Sequence, residues 1–291
     1  MSGMMLLKPI EITGYTTNIP ENDYPEYNPA TTYALDERVI VSSTHSVFES
    51  VSAGNLGNTP VIPSTFWNYV GSTNAYKSID QKVSTQTIGS GTMTFEFPTL
   101  KATAIAFLNV ECSTIKVEIL DGTTVIFSEE RNGFSRNVTG WYSYLFEDFE
   151  YRNFFLFEHL LNPFATYRIT LTGTTCKLGI MVRGTMFAIG TTKWGLQDGF
   201  IDYSTKEYDR WGELSLKEGN VRDYMKSEIF IQTSRLPIVK KVLKERRGKL
   251  SLFIPTVSKY ELAVYGNIVE PELIYENGSI SCCTFDIQGV I

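Results

Sequence analysis

A chain of 291 residues exceeds one average domain, so its length favours two or three units, each able to bury its own core without a cofactor. Its 26 basic and 32 acidic residues leave a formal charge of -6, which repels a phosphate backbone and excludes nucleic acid as the main partner. Aromatic residues form 13% of the chain, led by 18 Phe and 16 Tyr, a composition that suits sandwich interiors and strand pairs better than a helical bundle.

The opening MSGMMLLKPI places one lysine after a very short apolar run. That is too little for a signal-peptide core and far too little to span a bilayer, so cytoplasmic synthesis without membrane insertion is expected. Residues 1–23 read as a leading arm in which KPIEITGYTT forms one short strand before the turn-rich IPENDYPEYNP, and the arm is expected to pack on a later domain. Residues 24–71 form a small island rich in Asn, Thr, Pro and Tyr, with its clearest strands at Arg38–Val41 and Val47–Ser50. Residues 72–190 read as strand after strand. The best local signal is the alternation of Ile115, Val117 and Ile119 into Asp121-Gly122, and of Val125 and Phe127 out again, which predicts a hairpin. Ala104–Val110, Tyr167–Leu171 and Leu178–Phe187 are further strands at the spacing of a sandwich, while Gly89-Ser90-Gly91 reads as a turn. The stretch holding Tyr142, Tyr144, Phe146 and Tyr151 fits strand and buried loop equally well by periodicity.

Residues 191–291 contain the one convincing helix. Ser234 is its expected cap, Pro237 sits in its first turn, Leu236, Val239, Val242 and Leu243 share one face, and Gly248 follows a basic end. Strands at Leu250–Ile254 and Leu262–Val264, with a hairpin from Leu273–Tyr275 to Ile280–Ile287 turned by Asn277-Gly278, supply the sheet that this helix covers.

Chemistry-bearing patterns are sparse. The two histidines, His45 and His159, lie in no pattern that sets them beside a nucleophile or a metal partner, and the phosphate-binding, dinucleotide, zinc-protease and nucleophile-elbow motifs are missing. Cys112, Cys176, Cys282 and Cys283 lack zinc-site spacing and read as buried free thiols, the adjacent pair pointing to opposite faces of a strand. Carboxylate pairs such as Asp202 with Glu207, or Glu147 with Glu150, can be nominated for glycan cleavage, but in a chain with 32 acids they read as solvated charge. Asn137-Val138-Thr139 and Asn277-Gly278-Ser279 fit the glycosylation pattern and read as turn asparagines. No catalytic residue, metal or cofactor is expected. The densest basic run gathers Lys240, Lys241, Lys244, Arg246, Arg247 and Lys249; Lys240, Lys241, Lys244 and Arg247 form a helical face suited either to solvent or to an acidic neighbouring subunit.

In the island, Tyr27-Asn28-Pro29, Thr32-Tyr33, Asp36-Glu37-Arg38-Val39, the strand from His45 to Glu49, Asn58-Thr59-Pro60 and Phe66-Trp67 together resemble the small carbohydrate-binding modules of bacterial chitinases. The resemblance implies a three-stranded sheet held by Tyr27, Phe48 and Trp67, and it makes Tyr33, Phe66, Trp67 and Tyr69 the candidates for stacking on sugar rings. Over nearly the whole length, STNAYKSID, WYSYLFEDFEYRN and the stretch from GFIDYSTKEYDRWGELSLKEGN to VLKERRG resemble phage virion proteins of the carbohydrate-binding tail type. The final part is also similar to the tail-hub domains of distal tail and baseplate proteins.

These resemblances imply a mainly β chain with a small three-stranded module, a central β-sandwich and a C-terminal α+β hub-like domain with one helix. The implied role is a non-enzymatic structural component of a bacteriophage tail, made in the host cytoplasm and located in the virion. It would assemble with other tail proteins, itself a ring-forming homo-oligomer. The alternative is a receptor-recognition protein that binds host-surface glycan.

Overall fold

The computed structural model describes residues 3–135, 140–146, 150–255 and 262–290, and among them the chain is mainly β. The leading strand is β1 (Gly3–Pro9), earlier than KPIEITGYTT suggests: Met4, Leu6 and Leu7 are buried, and only β2 (Thr16–Thr17) forms in the later half of that segment. Burial, not strand propensity alone, sets the position. As expected, the arm packs on later parts of the chain, because β1 pairs with residues 184–191 and 252–254.

The island folds as β3 (Thr32–Tyr33), β4 (Arg38–Val41), β5 (Ser46–Ser50), β6 (Asn55–Leu56) and β7 (Trp67–Ser72). β4, β5 and β7 make a three-stranded antiparallel sheet, and β3 pairs with β6. Tyr33, Val39, Phe48 and Trp67 form its core, with Tyr27 edge-on to Trp67 at 5.8 Å between ring centroids. So few apolar residues make each ring count heavily.

The sandwich is built from β8 (Thr87–Pro98), β9 (Ala104–Glu111), β10 (Thr114–Asp121) and β11 (Thr124–Asn132), followed by β12 (Phe134–Ser135), helix α1 (Trp141–Phe146), β13 (Glu150–Tyr151) and β14 (Phe154–Glu158). The hairpin of β10 and β11 forms as predicted, with Asp121 opposite Thr124. The aromatic stretch of undecided state holds α1 and β13, while Asn137-Val138-Thr139 and Glu147 lie outside the described residues. The largest element is β15 (Thr166–Thr192), a single strand of 27 residues where two separate strands were expected. Its first half pairs with β8 on one edge and β10 on the other; its second half pairs with β9 and β1.

A bulge between Gly173 and Thr175 shifts the register of β15 against β8 by one residue, so that Cys176 and Leu178 beyond it face the same core as Leu171. Opposite it lies Gly89-Ser90-Gly91, which is the middle of β8 and not a turn, with Gly91 at a φ of 77° that suits a glycine at the bulge. Phe95, Phe97, Phe107, Phe157, Tyr167 and Ile169 fill the enclosed core. Farther along, β1 and β15 approach so closely that a side-chain carbon on Gly184 would lie 2.1 Å from the Lys8 carbonyl oxygen.

The C-terminal layer comprises β16 (Gln197–Asp202), β17 (Thr205–Tyr208), β18 (Leu214–Lys217), β19 (Val221–Gln232), helix α2 (Leu236–Glu245), β20 (Ser251–Ile254), β21 (Val264–Ile274) and β22 (Ile280–Gly289). Through β1 and β15 it joins the sandwich in one sheet of 13 strands, so the expected boundary at residues 190 and 191 falls inside β15. Helix α2 buries Leu236, Val239, Val242 and Leu243 against Ile229, Phe253 and Phe285, the face read from the sequence. Ser234 does not cap it. A 3-10 turn over Thr233–Arg235 leads into the helix, and the Leu236 N–H donates to the Thr233 carbonyl instead of to a side chain. Pro237 and the left-handed Gly248 stand at the two ends as expected. Of the expected strands Leu262–Val264 and Leu273–Tyr275, only Val264, Leu273 and Ile274 are in strand, and all three belong to one long strand, β21, which pairs with β22 through the Asn277 turn. No helix among the described residues is long and apolar enough to cross a membrane.

Trp67 is 2% exposed and its indole N–H donates to the Asn58 carbonyl at 2.7 Å. Trp67→Ala is therefore expected to cost about 3–5 kcal/mol of stability in the small module, read as a lowered urea midpoint by tyrosine and tryptophan fluorescence.

Candidate functional site

The four candidate sugar-stacking rings divide into two pairs. Tyr33 and Trp67 are 4% and 2% exposed, the Tyr33 hydroxyl accepts from the Asn28 N–H at 2.7 Å, and the two rings meet edge-on at 5.3 Å. Both are core, with their polar ends satisfied, and present no face to a ligand. Phe66 and Tyr69 lie at the surface, Tyr69 leaning edge-on against Phe48 at 5.9 Å. That leaves two surface rings of the four.

The basic face behaves as its helical spacing requires. Lys240, Lys241 and Lys244 are exposed on the side of α2 away from its buried stripe, Lys241 sits 4.0 Å from Glu245 one turn on, and Arg247, expected on the same face, is exposed in the turn after the helix, which ends at Glu245. Arg246 departs from the group: its guanidinium turns inward to bond Ser251 Oγ at 2.9 Å and the Leu250 carbonyl, and burial lowers its pKa.

Both histidines serve as packing pegs. His45 Nδ1 is 2.7 Å from a Glu21 carboxylate oxygen, and its ring stacks on Tyr76 at 3.5 Å, joining the small module to the sandwich. His159 Nδ1 bonds the Leu160 carbonyl at 2.8 Å, so Nδ1 carries the proton and Nε2 accepts from the Tyr167 hydroxyl. Burial holds the His159 pKa below its ordinary value and keeps the ring neutral. Neither ring is set against a nucleophile.

Of the nominated carboxylates, Asp202 accepts from the Ser204 N–H and hydroxyl, bonds that hold its pKa below the ordinary range, and Glu207 lies on an exposed strand. Glu228, Glu276 and Cys282 gather their ligand atoms within 4.8 Å, but Glu228 already pairs with Lys193 at 2.7 Å and the Cys282 thiol donates to Glu276 at 3.0 Å. Burial first, then those two acids, push that thiol up to about 12, so it is protonated and poorly suited to a metal. A cavity of about 610 Å³ lies where β15, the leading arm and the turn after α2 meet, and Glu11 is the one acid among its lining residues. Arg183 also borders it, yet its side chain is fully buried, bonding the Pro98 and Glu11 carbonyls, and is closed off from any ligand there.

The feature that sequence reasoning missed is the ribbon formed by β16 to β19. The ladder of β16 and β19 runs from Gln197 opposite Lys226 to Asp202 opposite Val221, and continues as β17 and β18 from Thr205 opposite Lys217 to Tyr208 opposite Leu214. Asp209 Oδ1 closes the tip by accepting from the N–H groups of Trp211 and Glu213, each at 2.8 Å. Cross-strand partners share a face, so Lys206, Tyr208, Leu214 and Leu216 lie together on one side while Thr205, Glu207, Ser215 and Lys217 lie on the other. Every residue of β17 and β18 is exposed, and Trp211 at the tip is 84% exposed. Alternation is present in LSLK but not in TKEY, whose one apolar residue is Tyr208, and each run holds only four residues, too few to separate from a polar loop.

Comparison of the chain with protein-family models, with curated proteins and with solved structures found no match.

All four cysteines are buried and unpaired, in agreement with the sequence reading, and burial pushes Cys112 and Cys283 up to about 12. A chromogenic disulfide reagent at pH 8 is expected to titrate no thiol in the folded chain and all four after denaturation. The linkage has a sign: the folded state keeps its thiols protonated, so their contribution is complete below the ordinary thiol pKa of about 8.5 and is lost as pH rises above it.

Proposed function

We propose that the chain is a non-catalytic building block of a larger particle, a bacteriophage tail being the particle that its sequence resemblance names. The observation that carries this reading is the ribbon: a two-stranded element that sets Tyr208, Leu214 and Leu216 beside Lys206 on one face, with no second layer over that face among the described residues. An isolated hairpin is marginal in water, and a mainly apolar face of this kind is a surface for another protein. Exposed aromatics at Trp211 and Tyr208 supply the residue types that anchor protein interfaces. The basic face of α2 is a second contact surface, suited to an acidic neighbouring tail protein.

A host-glycan-binding role is the alternative, resting on Phe66 and Tyr69 at the surface of the small module. Glycan arrays probed with the wild-type chain and with Phe66→Ala/Tyr69→Ala discriminate the two: binding lost in the variant favours recognition. Glycan cleavage has weaker support, since the nominated acids Asp202 and Glu207 are engaged with Ser204 and displayed on the ribbon.

Mass spectrometry of purified particles is expected to find the chain at a fixed low copy number, and the purified protein to show no hydrolytic turnover. Its absence from particles would refute the assembly role. Lys241→Glu/Lys244→Glu is expected to leave the melting temperature nearly unchanged, since exposed helix charges contribute only about 0.3–0.5 kcal/mol per pair, and to reduce incorporation into particles.

A further inference from the structure

We propose that the cavity between the leading arm, β15 and the turn after α2 is a binding site for a small organic anion, its carboxylate head held by Arg246 and Lys249 and its apolar body by Ile10, Ile12 and Ile79. The site is separate from the ribbon and from Lys240, Lys241 and Lys244, so it adds a ligand to the assembly reading and does not depend on it.

The cavity has both of the surfaces that such a molecule needs. Ile10 and Ile12 on the arm, with Ile79 at the end of a 3-10 helix over Asn74–Ile79, are half-buried and give it apolar lining that solvent still reaches. Arg246 and Lys249 come from the turn after α2, and Tyr265 from β21. Its volume of about 610 Å³ falls in the range of pockets for small organic ligands, about 300–1,000 Å³, which are mostly apolar with a few placed polar groups. The frame is held by bonds of its own. The Ile10 N–H donates to the Arg183 carbonyl at 2.9 Å, the Arg183 guanidinium holds the Glu11 carbonyl, and the Lys249 N–H donates to the Arg246 carbonyl at 3.1 Å across the left-handed Gly248. A cavity fixed in this way costs a ligand little ordering.

Charge selects the ligand. Three cations line the cavity, Arg183, Arg246 and Lys249, against Glu11 alone, in a chain whose net charge is -6. None of the three forms an ion pair among the described residues. The two guanidinium groups bond only carbonyl and hydroxyl oxygens, which satisfy N–H donors without cancelling the charge. Arg183 shows the deficit most directly: it is fully buried, and its Nε has no hydrogen-bond partner among the described residues. Closed off from contact, it acts on the cavity as a fixed positive charge behind the wall. Burial lowers the pKa of both arginines, the mark of positive charge held out of water more than its neighbours offset. An anionic head relieves that deficit, which a neutral or cationic group leaves in place. Burial also pushes Tyr265 up to about 12, so its hydroxyl stays protonated and is a donor for the same head.

Isothermal titration calorimetry of the full chain tests this with three probes: 2-naphthoate, its uncharged counterpart 2-naphthamide, and acetate, which keeps the head and lacks the body. Wild type is expected to bind one equivalent of naphthoate, and to bind the amide and acetate each roughly 10-fold more weakly or worse. Lys249 and Glu11 are exposed, so Lys249→Gln and Glu11→Gln are expected to keep the wild-type melting curve. Their effects on naphthoate have opposite signs: roughly 5-fold weaker binding for Lys249→Gln, and roughly 3-fold tighter binding for Glu11→Gln, with the amide unmoved by either. Lys241→Glu/Lys244→Glu, which changes the same net charge away from the cavity, is expected to leave naphthoate binding as it is in wild type. A wild type that gives no binding heat with naphthoate, acid and amide that bind alike, or naphthoate binding that Lys249→Gln leaves unaltered overturns the inference. None of these results turns on whether the chain is found in particles, so the failure of this site and the failure of the assembly reading are told apart.

Discussion

The hydrogen-bond ladder of β15 is the constraint on which the rest of the molecule depends. Five other strands, β8, β9, β10, β1 and β19, take their register from it, four of them as long neighbours. Because side chains alternate along it, one choice of register decides which residues fill which core. Tyr167, Ile169 and Leu171 point into the sandwich, and Ile180 and Val182 into the second core with Leu252 and Ile254. The change of core comes only after Leu178, since Cys176 and Leu178, beyond the bulge between Gly173 and Thr175, still face the sandwich core. A slip by one residue would empty both cores together.

This explains what was and was not legible in the sequence. Ile115 to Phe127 was readable because period, turn and length agree within one local hairpin. The α2 stripe was readable because 3.6-residue spacing survives a wrong guess about the cap: four buried side chains locate the helix whether or not Ser234 contributes. By contrast, the one glycine and three threonines at residues 172–175 resemble a connection, and nothing local distinguishes a turn from a bulge in a strand with partners on both edges. The N-terminal strand was misplaced for a related reason. Its burial arises from residues 184–191 and 252–254, contacts that no window of neighbouring sequence contains.

The candidate sites were legible in the same uneven way. Residue type correctly drew attention to Trp67 and Tyr33, but a small module needs its largest rings inside, and only Phe66 and Tyr69 were left at the surface. The lysines of α2 could be assigned to a face from spacing alone, but Arg246 and Arg247 lie past its end, and the inward turn of Arg246 depends on Ser251 and Leu250. The ribbon escaped notice because its apolar members, Tyr208, Leu214 and Leu216, are dilute in sequence and become a surface only when β17 and β18 pair.

The position of β1 also sets an order on how the chain acquires its structure. Residues 3–9 lie between β15 and β20, near the middle of the large sheet, with Met5 paired both to Ala188 and to Ile254. At a ribosomal rate of about 5–20 residues per second, this apolar segment emerges on the order of ten seconds or more before its second partner exists. During that interval the small module and the early sandwich strands can form from local contacts, while the C-terminal layer waits. The nascent chain therefore carries residues 3–9 without their partners through most of the synthesis of these 291 residues, an extended apolar stretch open to pairing with other chains in the meantime.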